Sequence, residues 1–233
     1  MSSAAAVRGL YESLYTSTFN KVVCVGKNYA MHAKEMGGEV PKNPLLFDKC
    51  LSNIIQSGDT LYLRHPQNQV HHEVELGLLI GKKLPKGSFA NTQWKNHIEG
   101  YFLGIDFTDR DLQGQFKKNG TPWTLGKCQD GFFAVSGFVE GAKVRNPHDL
   151  ELTLKINDKV VQQDSTKNMI YQIPTILEYI SHHLTLQEGD MILTGTPAGV
   201  GPVKGGDYIF GTLGQGKEDL ATLYMKVESG YAN

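Results

Sequence analysis

Two apolar runs in this chain carry acids where a solvated carboxylate would be costly, and that pairing constrains the fold most. Val74 to Leu84 and Tyr101 to Thr108 are apolar enough to be central β-strands. The first run is entered through Glu73-Val74-Glu75, and the second holds Asp106 within Tyr101-Phe-Leu-Gly-Ile-Asp-Phe107. Residues two apart on a strand share a face, with Cα atoms roughly 7 Å apart, so Glu73 and Glu75 can aim at one point. An acid inside a neighbouring apolar strand is unfavourable unless it is paired or bound to a cation. Most E-x-E strands simply present a solvated face, but the setting of Asp106 tilts the reading away from that. Three convergent carboxylates, without Cys or His at ligand spacing, suit a hard divalent ion such as Mg²⁺.

The remaining pattern is that of a β-rich α+β protein with few helices. Lys21 to Gly26 reads as a short buried strand, and Asn28 to Gly37 as one or two helical turns stopped by Gly37-Gly38. Phe132 to Val139 reads as one strand. Leu150, Leu152, Leu154 and Ile156 alternate with polar residues, and Asn157-Asp158 then turns the chain into a short strand at Val160-Val161. Ile173, Ile176, Leu177, Ile180 and Leu184 repeat at helical spacing, with Pro174 tolerable in the first turn. Met191 to Thr194 and the alternating Leu223, Met225 and Val227 complete the strands. Residues 21–233 are expected to form a single catalytic domain, and residues 1–20 an N-terminal arm or a weak targeting segment.

Composition excludes some partners. With 23 basic and 24 acidic residues the net charge is −1, which gives no bias towards nucleic acid or an anionic membrane. The Lys117-Lys118 patch reads as solvated. No run of about 18 apolar residues is present, so no transmembrane helix is expected. Three cysteines, Cys24, Cys50 and Cys128, with no C-x-x-C pair, point to a reducing compartment and away from a disulfide framework.

Several further groups can carry chemistry. His32 and Glu35 lie three apart and share a helix face, and a carboxylate beside an imidazole orients it as a general base. On spacing alone the pair is as readily a surface contact. Arg110 and Gln113 follow Asp106 by four and seven residues, so a continuous helix would point all three one way. Lys127 follows an apolar stretch that reduces its solvation. Thr194-Gly-Thr-Pro-Ala-Gly-Val-Gly201 offers backbone N–H groups and hydroxyls as an anion cradle, without the spacing of a nucleotide-binding loop. His71-His72 and His182-His183 read as structural.

Five blocks together resemble the fumarylacetoacetate hydrolase family. They are Val25-Gly-Lys-Asn-Tyr-Ala-Met-His32-Ala-Lys-Glu35, His72-Glu-Val-Glu75-Leu, Asp106-Phe-Thr-Asp-Arg110-Asp-Leu-Gln113, Lys118-Asn-Gly-Thr-Pro-Trp-Thr-Leu-Gly-Lys127 and Leu193-Thr-Gly-Thr-Pro-Ala-Gly-Val-Gly201. Within that family the chain is most similar to the eukaryotic acylpyruvase/oxaloacetate decarboxylase subgroup, whose members also act as oxaloacetate tautomerases. The resemblance implies a mixed β-roll, a homodimer, a mitochondrial (otherwise cytoplasmic) location, and Mg²⁺ or Mn²⁺ held by Glu73, Glu75 and Asp106. It gives His32 and Glu35 to a catalytic dyad on a lid spanning Tyr29 to Glu39, gives Lys127 a catalytic role, and places Arg110, Gln113 and Thr196 near the substrate. The chain departs from the family pattern Phe-x-Lys-Pro-x-Ser at Phe47-Asp48-Lys49-Cys50-Leu51-Ser52.

The implied substrate is a small 2-oxo dicarboxylate or acylpyruvate, whose carboxylate and keto oxygens suit a divalent ion that stabilises an enolate. Acylpyruvate hydrolysis, oxaloacetate decarboxylation and keto-enol tautomerisation can all follow from such a site. A non-catalytic homodimer that binds metal and dicarboxylate is one alternative; an isomerase of aromatic catabolism with the same fold is another.

Overall fold

The computed structural model describes residues 21–38, 40–89 and 91–231. The expected N-terminal arm, residues 1–20, and Glu39 at the end of the expected lid lie outside them. The first half of the chain forms β1 (Val22–Gly26), α1 (Ala30–Glu35), β2 (Leu45–Lys49), β3 (Ile54–Gln56), β4 (Thr60–Leu63), β5 (Val70–His72), β6 (Val74–Ile80), β7 (Ile98–Asp106) and β8 (Thr108–Asp109). It continues through α2 (Arg110–Asn119), α3 (Thr124–Lys127), β9 (Phe133–Val135), β10 (Val139–Glu140), β11 (Glu151–Ile156) and β12 (Lys159–Ser165). The last part is α4 (Ile173–His183), β13 (Met191–Leu193), β14 (Gly201–Val203), β15 (Tyr208–Gln215) and β16 (Glu218–Ser229).

The strands make three sheets among the described residues. One has the order β2-β1-β13-β6-β7-β9-β3, with β10 added beside β7; the second is β12-β11-β15-β16-β4, and the third β14-β5-β8. Pairing is mixed: β1 with β13, β3 with β9 and β4 with β16 are parallel, and the other pairs are antiparallel. The expected β-rich fold with a mixed sheet is what forms.

Side-chain alternation explains how both faces of the first sheet become covered. Val74, Leu76, Leu78 and Ile80 on β6, with Leu103 and Ile105 on β7, join the large core shared with the second sheet. The opposite face carries Leu79, Phe102, Phe133, Met191 and Leu193 in a smaller core. Glu75, Gly77 and Leu79 share that second face, because side chains repeat every two residues along a strand. The register pairs Glu75 with Gly104 and Gly77 with Phe102, so glycine opposes a large side chain each time.

Three expectations change in detail. Phe132 to Val139 is not one strand, because Ser136 accepts from Leu103 N and donates to Gly137 O, which separates β9 from β10. The strand at Val160-Val161 extends to Ser165, after a turn whose Asn157 and Asp158 both have positive φ, as a two-residue hairpin requires. Leu184 falls just beyond α4 and is exposed, although Ile173, Ile176, Leu177 and Ile180 are buried as the spacing predicts. Four helices form among the described residues, more than the single clear helical pattern suggests. The segment forming α2, Arg-Asp-Leu-Gln-Gly-Gln-Phe-Lys-Lys-Asn, is too polar to show a stripe beyond Leu112 and Phe116. Asp109 caps it by accepting from Leu112 N, and Gly120 ends it at φ +65°.

At Gly77 an added methyl would fall inside the Phe102 ring. Gly77→Ala is therefore expected to lower unfolding stability by about 1–3 kcal/mol, the range for overpacking a filled core. Equilibrium urea unfolding measures it, and a neutral substitution would show that the sheet shifts freely there.

Candidate active site

The site lies at one edge of the first sheet. Strands β1 and β13 run parallel, β6 is antiparallel to β13, and β7 is antiparallel to β6. The C-terminal ends of β1, β7 and β13 thus share an edge with the start of β6. The acids sit there: Glu73 and Glu75 at the entry to β6, Asp106 at the end of β7. Asp106 N donates to Glu73 O at 2.9 Å, which locks the two segments together. Oxygens of Glu73, Glu75 and Asp106 all lie within 4.8 Å of one another, and all three residues are buried.

Two lysines and an arginine neutralise two of these acids. Lys127 Nζ donates to Glu73 at 2.9 Å, to Asp106 at 2.5 Å and to the Thr108 hydroxyl at 2.7 Å. Lys49 Nζ lies 2.7 Å from the other Asp106 oxygen and donates to the carbonyls of Phe107 and Lys127. Arg110 pairs with Glu73 and also donates to Gln113 at 3.0 Å. Burial alone would raise Glu73, but the charges of Lys127 and Arg110 hold it well below the usual carboxylate range. Burial would likewise lower Lys127, and Asp106 and Glu73 instead raise it, so its ammonium persists across neutral pH.

Glu75 is different. Among the described residues its hydrogen bond comes from the Gly195 N–H, at 2.6 Å, and no basic side chain pairs with it. Burial, with the charges of Asp106 and Glu73 beside it, pushes its carboxyl well above the usual range. An all-oxygen donor set with one uncompensated acid is the environment a hard divalent cation fits. Glu73, Glu75 and Asp106 can hold such an ion.

The remaining groups arrive on the segments that follow those strand ends. After β1, helix α1 brings His32, whose Nδ1 lies 3.2 Å from Glu35; His32 is buried. That contact leaves Nε2 as the ring nitrogen able to act on a ligand. After β13, the expected anion cradle is spent on the protein's own acids: Gly195 N–H binds Glu75, and Gly199 N–H binds Glu35 at 3.1 Å. Both glycines have φ near +100°, and a Cβ would collide with Asn28 at Gly195 and with the Val161 carbonyl at Gly199. A cavity of about 310 Å³ is lined by His32, Glu73, Glu75, Arg110, Gln113, Lys127 and Thr196, together with Phe47, Lys117 and Trp123.

Seven of the nine residues singled out from sequence therefore face one cavity, and the other two bond to residues that line it, Glu35 to His32 and Asp106 to Lys127. The route to Arg110 and Gln113 differs from expectation. Asp106 ends a strand and the helix starts only at Arg110, so the three do not share a helix face; Arg110 instead reaches back to Glu73. Lys117, read as solvated, lines the cavity mouth, with Nζ 3.1 Å from Gln113 and 4.9 Å from the Trp123 ring centre. The sequence points to Lys49 only within the departing segment Phe47 to Ser52. Its signal is a lysine at the end of the short strand pattern Leu45-Leu46-Phe47-Asp48-Lys49, where a buried ammonium must find acids. Gln162 was missed altogether: its amide binds His72, Val74 N, Thr196 and the Pro197 carbonyl, joining β6 to the loop after β13.

Known proteins share this sequence and fold along most of the chain. Residues 21–227 match the fumarylacetoacetate (FAA) hydrolase C-terminal family. The chain is 47% identical over 189 residues to a mitochondrial oxaloacetate tautomerase of Arabidopsis thaliana, covering 81% of this chain and 84% of that protein. It is 40% identical over 196 residues to a mitochondrial oxaloacetate decarboxylase of Dictyostelium discoideum, covering 84% and 89%. Among solved structures, the fumarylpyruvate hydrolase of Pseudomonas aeruginosa, in complex with Mn²⁺ and pyruvate, superposes with a TM-score of 0.84 at 30% identity, covering 90% of each chain.

The raised Glu75 carboxyl has a testable sign. In the metal-free protein it imposes no penalty below its unfolded value, roughly pH 4.3; stability is lost as pH rises from there towards the higher folded value. Glu75→Gln in EDTA should thus melt above the wild type at pH 7, with the difference vanishing near pH 4. A variant that melts lower at pH 7 would mean the carboxylate is stabilised where it sits.

Proposed function

We propose that this chain, which belongs to the fumarylacetoacetate hydrolase family, is a divalent-metal-dependent enzyme of short 2-oxo and diketo acids, with oxaloacetate and acylpyruvates as substrates. The observation that carries this reading is the convergence of three buried acids, a His-Glu pair and a set of cationic donors on one cavity. Relatives named as oxaloacetate tautomerase and decarboxylase support oxaloacetate as the first substrate to try. Their mitochondrial names support the same location for this chain, and the family resemblance supports a homodimer.

In this reading Glu73, Glu75 and Asp106 hold Mg²⁺ or Mn²⁺. When bound, that ion supplies positive charge to the oxygens of a 2-oxo acid and favours the negative charge that develops on them. Arg110, Gln113 and Thr196 offer donors to the substrate carboxylate, and the guanidinium fork suits a planar carboxylate. Lys127 holds a permanent positive charge beside the developing oxyanion. His32, oriented through Nδ1 by Glu35, uses Nε2 to accept or return a proton.

The outcome then depends on what lies distal to the keto group. Water activated by His32 attacks a distal carbonyl and cleaves an acylpyruvate. A distal carboxylate leaves as CO₂. A proton moved between carbon and oxygen interconverts keto and enol forms of oxaloacetate. Purified protein with Mg²⁺ should be assayed on oxaloacetate for both enol loss and CO₂ release, and on acetylpyruvate and fumarylpyruvate. Turnover on at least one is expected, and it should disappear in excess EDTA; full activity with no metal by elemental analysis would refute the metal reading.

The dyad should separate the reactions. His32→Ala and Glu35→Gln are expected to reduce acylpyruvate hydrolysis by about 10²–10⁴-fold, the usual contribution of general base catalysis. Decarboxylation needs no activated water and should lose less. Equal losses in parallel kcat measurements would assign the dyad to a step common to both.

A further inference from the structure

Two thiols lie one residue beyond the two buried lysines of the site. Cys50 follows Lys49, and Cys128 follows Lys127. Lys49 Nζ donates to the Lys127 carbonyl, which stitches the end of β2 to the end of α3. The Cys128 thiol donates to the Asp48 carbonyl at 3.4 Å. The Asp48 carbonyl lies two residues before Cys50, so these ties set the Cys128 thiol beside the segment that carries Cys50. Cys50 is exposed and Cys128 half-buried, while Cys24 is buried.

We propose that Cys50 and Cys128 form a peroxide-responsive dithiol, which closes to a disulfide and restrains the two lysine-bearing segments of the site. Peroxide meets the exposed Cys50 first: its O–O bond breaks, one oxygen goes to sulfur as a sulfenic acid, and one water leaves. The Cys128 sulfur then attacks the Cys50 sulfur. The S–S bond forms, the S–O bond breaks, and the hydroxyl leaves with the Cys128 proton as a second water. Two thiols and one hydrogen peroxide give one disulfide and two waters. Burial pushes the Cys128 thiol up to about 11, so at rest it holds the proton that departs with the hydroxyl in the second step.

Closure has a consequence for the site. The Cys128 sulfur must leave the Asp48 carbonyl, and it draws the end of α3 with it. Lys127 sits at that end, with its ammonium bound to Glu73 and Asp106. A small displacement of a group held this closely to reacting charge is costly to turnover. In a reducing compartment such a disulfide is transient and regulatory.

The test uses the full-length protein, reduced and then treated with a small excess of hydrogen peroxide. Free thiols are alkylated and the protein is digested without reductant. Mass spectrometry is expected to find a Cys50–Cys128 linked peptide, dissolved by dithiothreitol, with Cys24 recovered alkylated. Oxaloacetate turnover should fall by about tenfold or more on closure, as a misplaced charged group implies. It should return with dithiothreitol, and Cys50→Ser should keep its turnover under the same peroxide. Cys50 recovered as sulfinic acid or in an intermolecular pair, with no linked peptide, would overturn the proposal; so would a linked protein that turns over at the reduced rate. The peptide measurement does not depend on the substrate reading. A protein that crosslinks but is inert towards oxaloacetate in its reduced form refutes that reading and supports the disulfide.

Discussion

The buried ammonium of Lys127 is the interaction on which the site and its surroundings depend. An NH₃⁺ group has three donors, and here all three are used, on Glu73, Asp106 and Thr108. Lys49 repeats the arrangement with Asp106 and two backbone carbonyls. Removing charges from water is expensive, and burial of this kind is tolerable only where geometry and hydrogen bonding are complete. The two lysines therefore fix five segments at once: the end of β2, the entry to β6, the end of β7, β8 and α3. Their cost is recovered as position. A lone unpaired acid remains, Glu75, and its discomfort is what makes the place receptive to a cation.

Much of this was legible in the chain itself. The apolar strands with acids at their ends identified Glu73, Glu75 and Asp106, because two-residue alternation fixes which face an acid must share. The helix α4 was readable from the spacing of Ile173, Ile176, Leu177 and Ile180. What could not be read were relationships made across the chain. Lys49 and Asp106 are brought together by sheet order, and no local pattern encodes it. Helix α2 depends on the Asp109 cap and on packing near Glu73, and its polar sequence hides it. Lys117 looks like a surface lysine because only the neighbouring Trp123 and Gln113 give its ammonium somewhere to go.

Uncharged joints matter as much as the ion pairs. Asn28 spends its whole side chain on backbone, accepting from Tyr171 N at 2.7 Å and donating to the carbonyls of Tyr171 and Thr194. It thereby ties the start of α1 to the loop after β13. Gln162 does the same between β12 and that loop. His32 and Glu35 are aligned with the carboxylates through these amides, since α1 is too short to be stable on its own.

The parallel pairing of β1 with β13, Val22 against Met191, sets when the site can exist during synthesis. A ribosome emits β1 early and β13 near the end, and until both are free the centre of the first sheet has no strand between β1 and β6. The nascent chain must carry Glu73, Glu75 and Asp106 through most of translation without the Gly195 N–H that receives Glu75. The cavity is then assembled only late in synthesis, and long-range closure of this kind is slow. A truncated product would be a sheet with a missing middle, unable to assemble a weaker version of the same cavity.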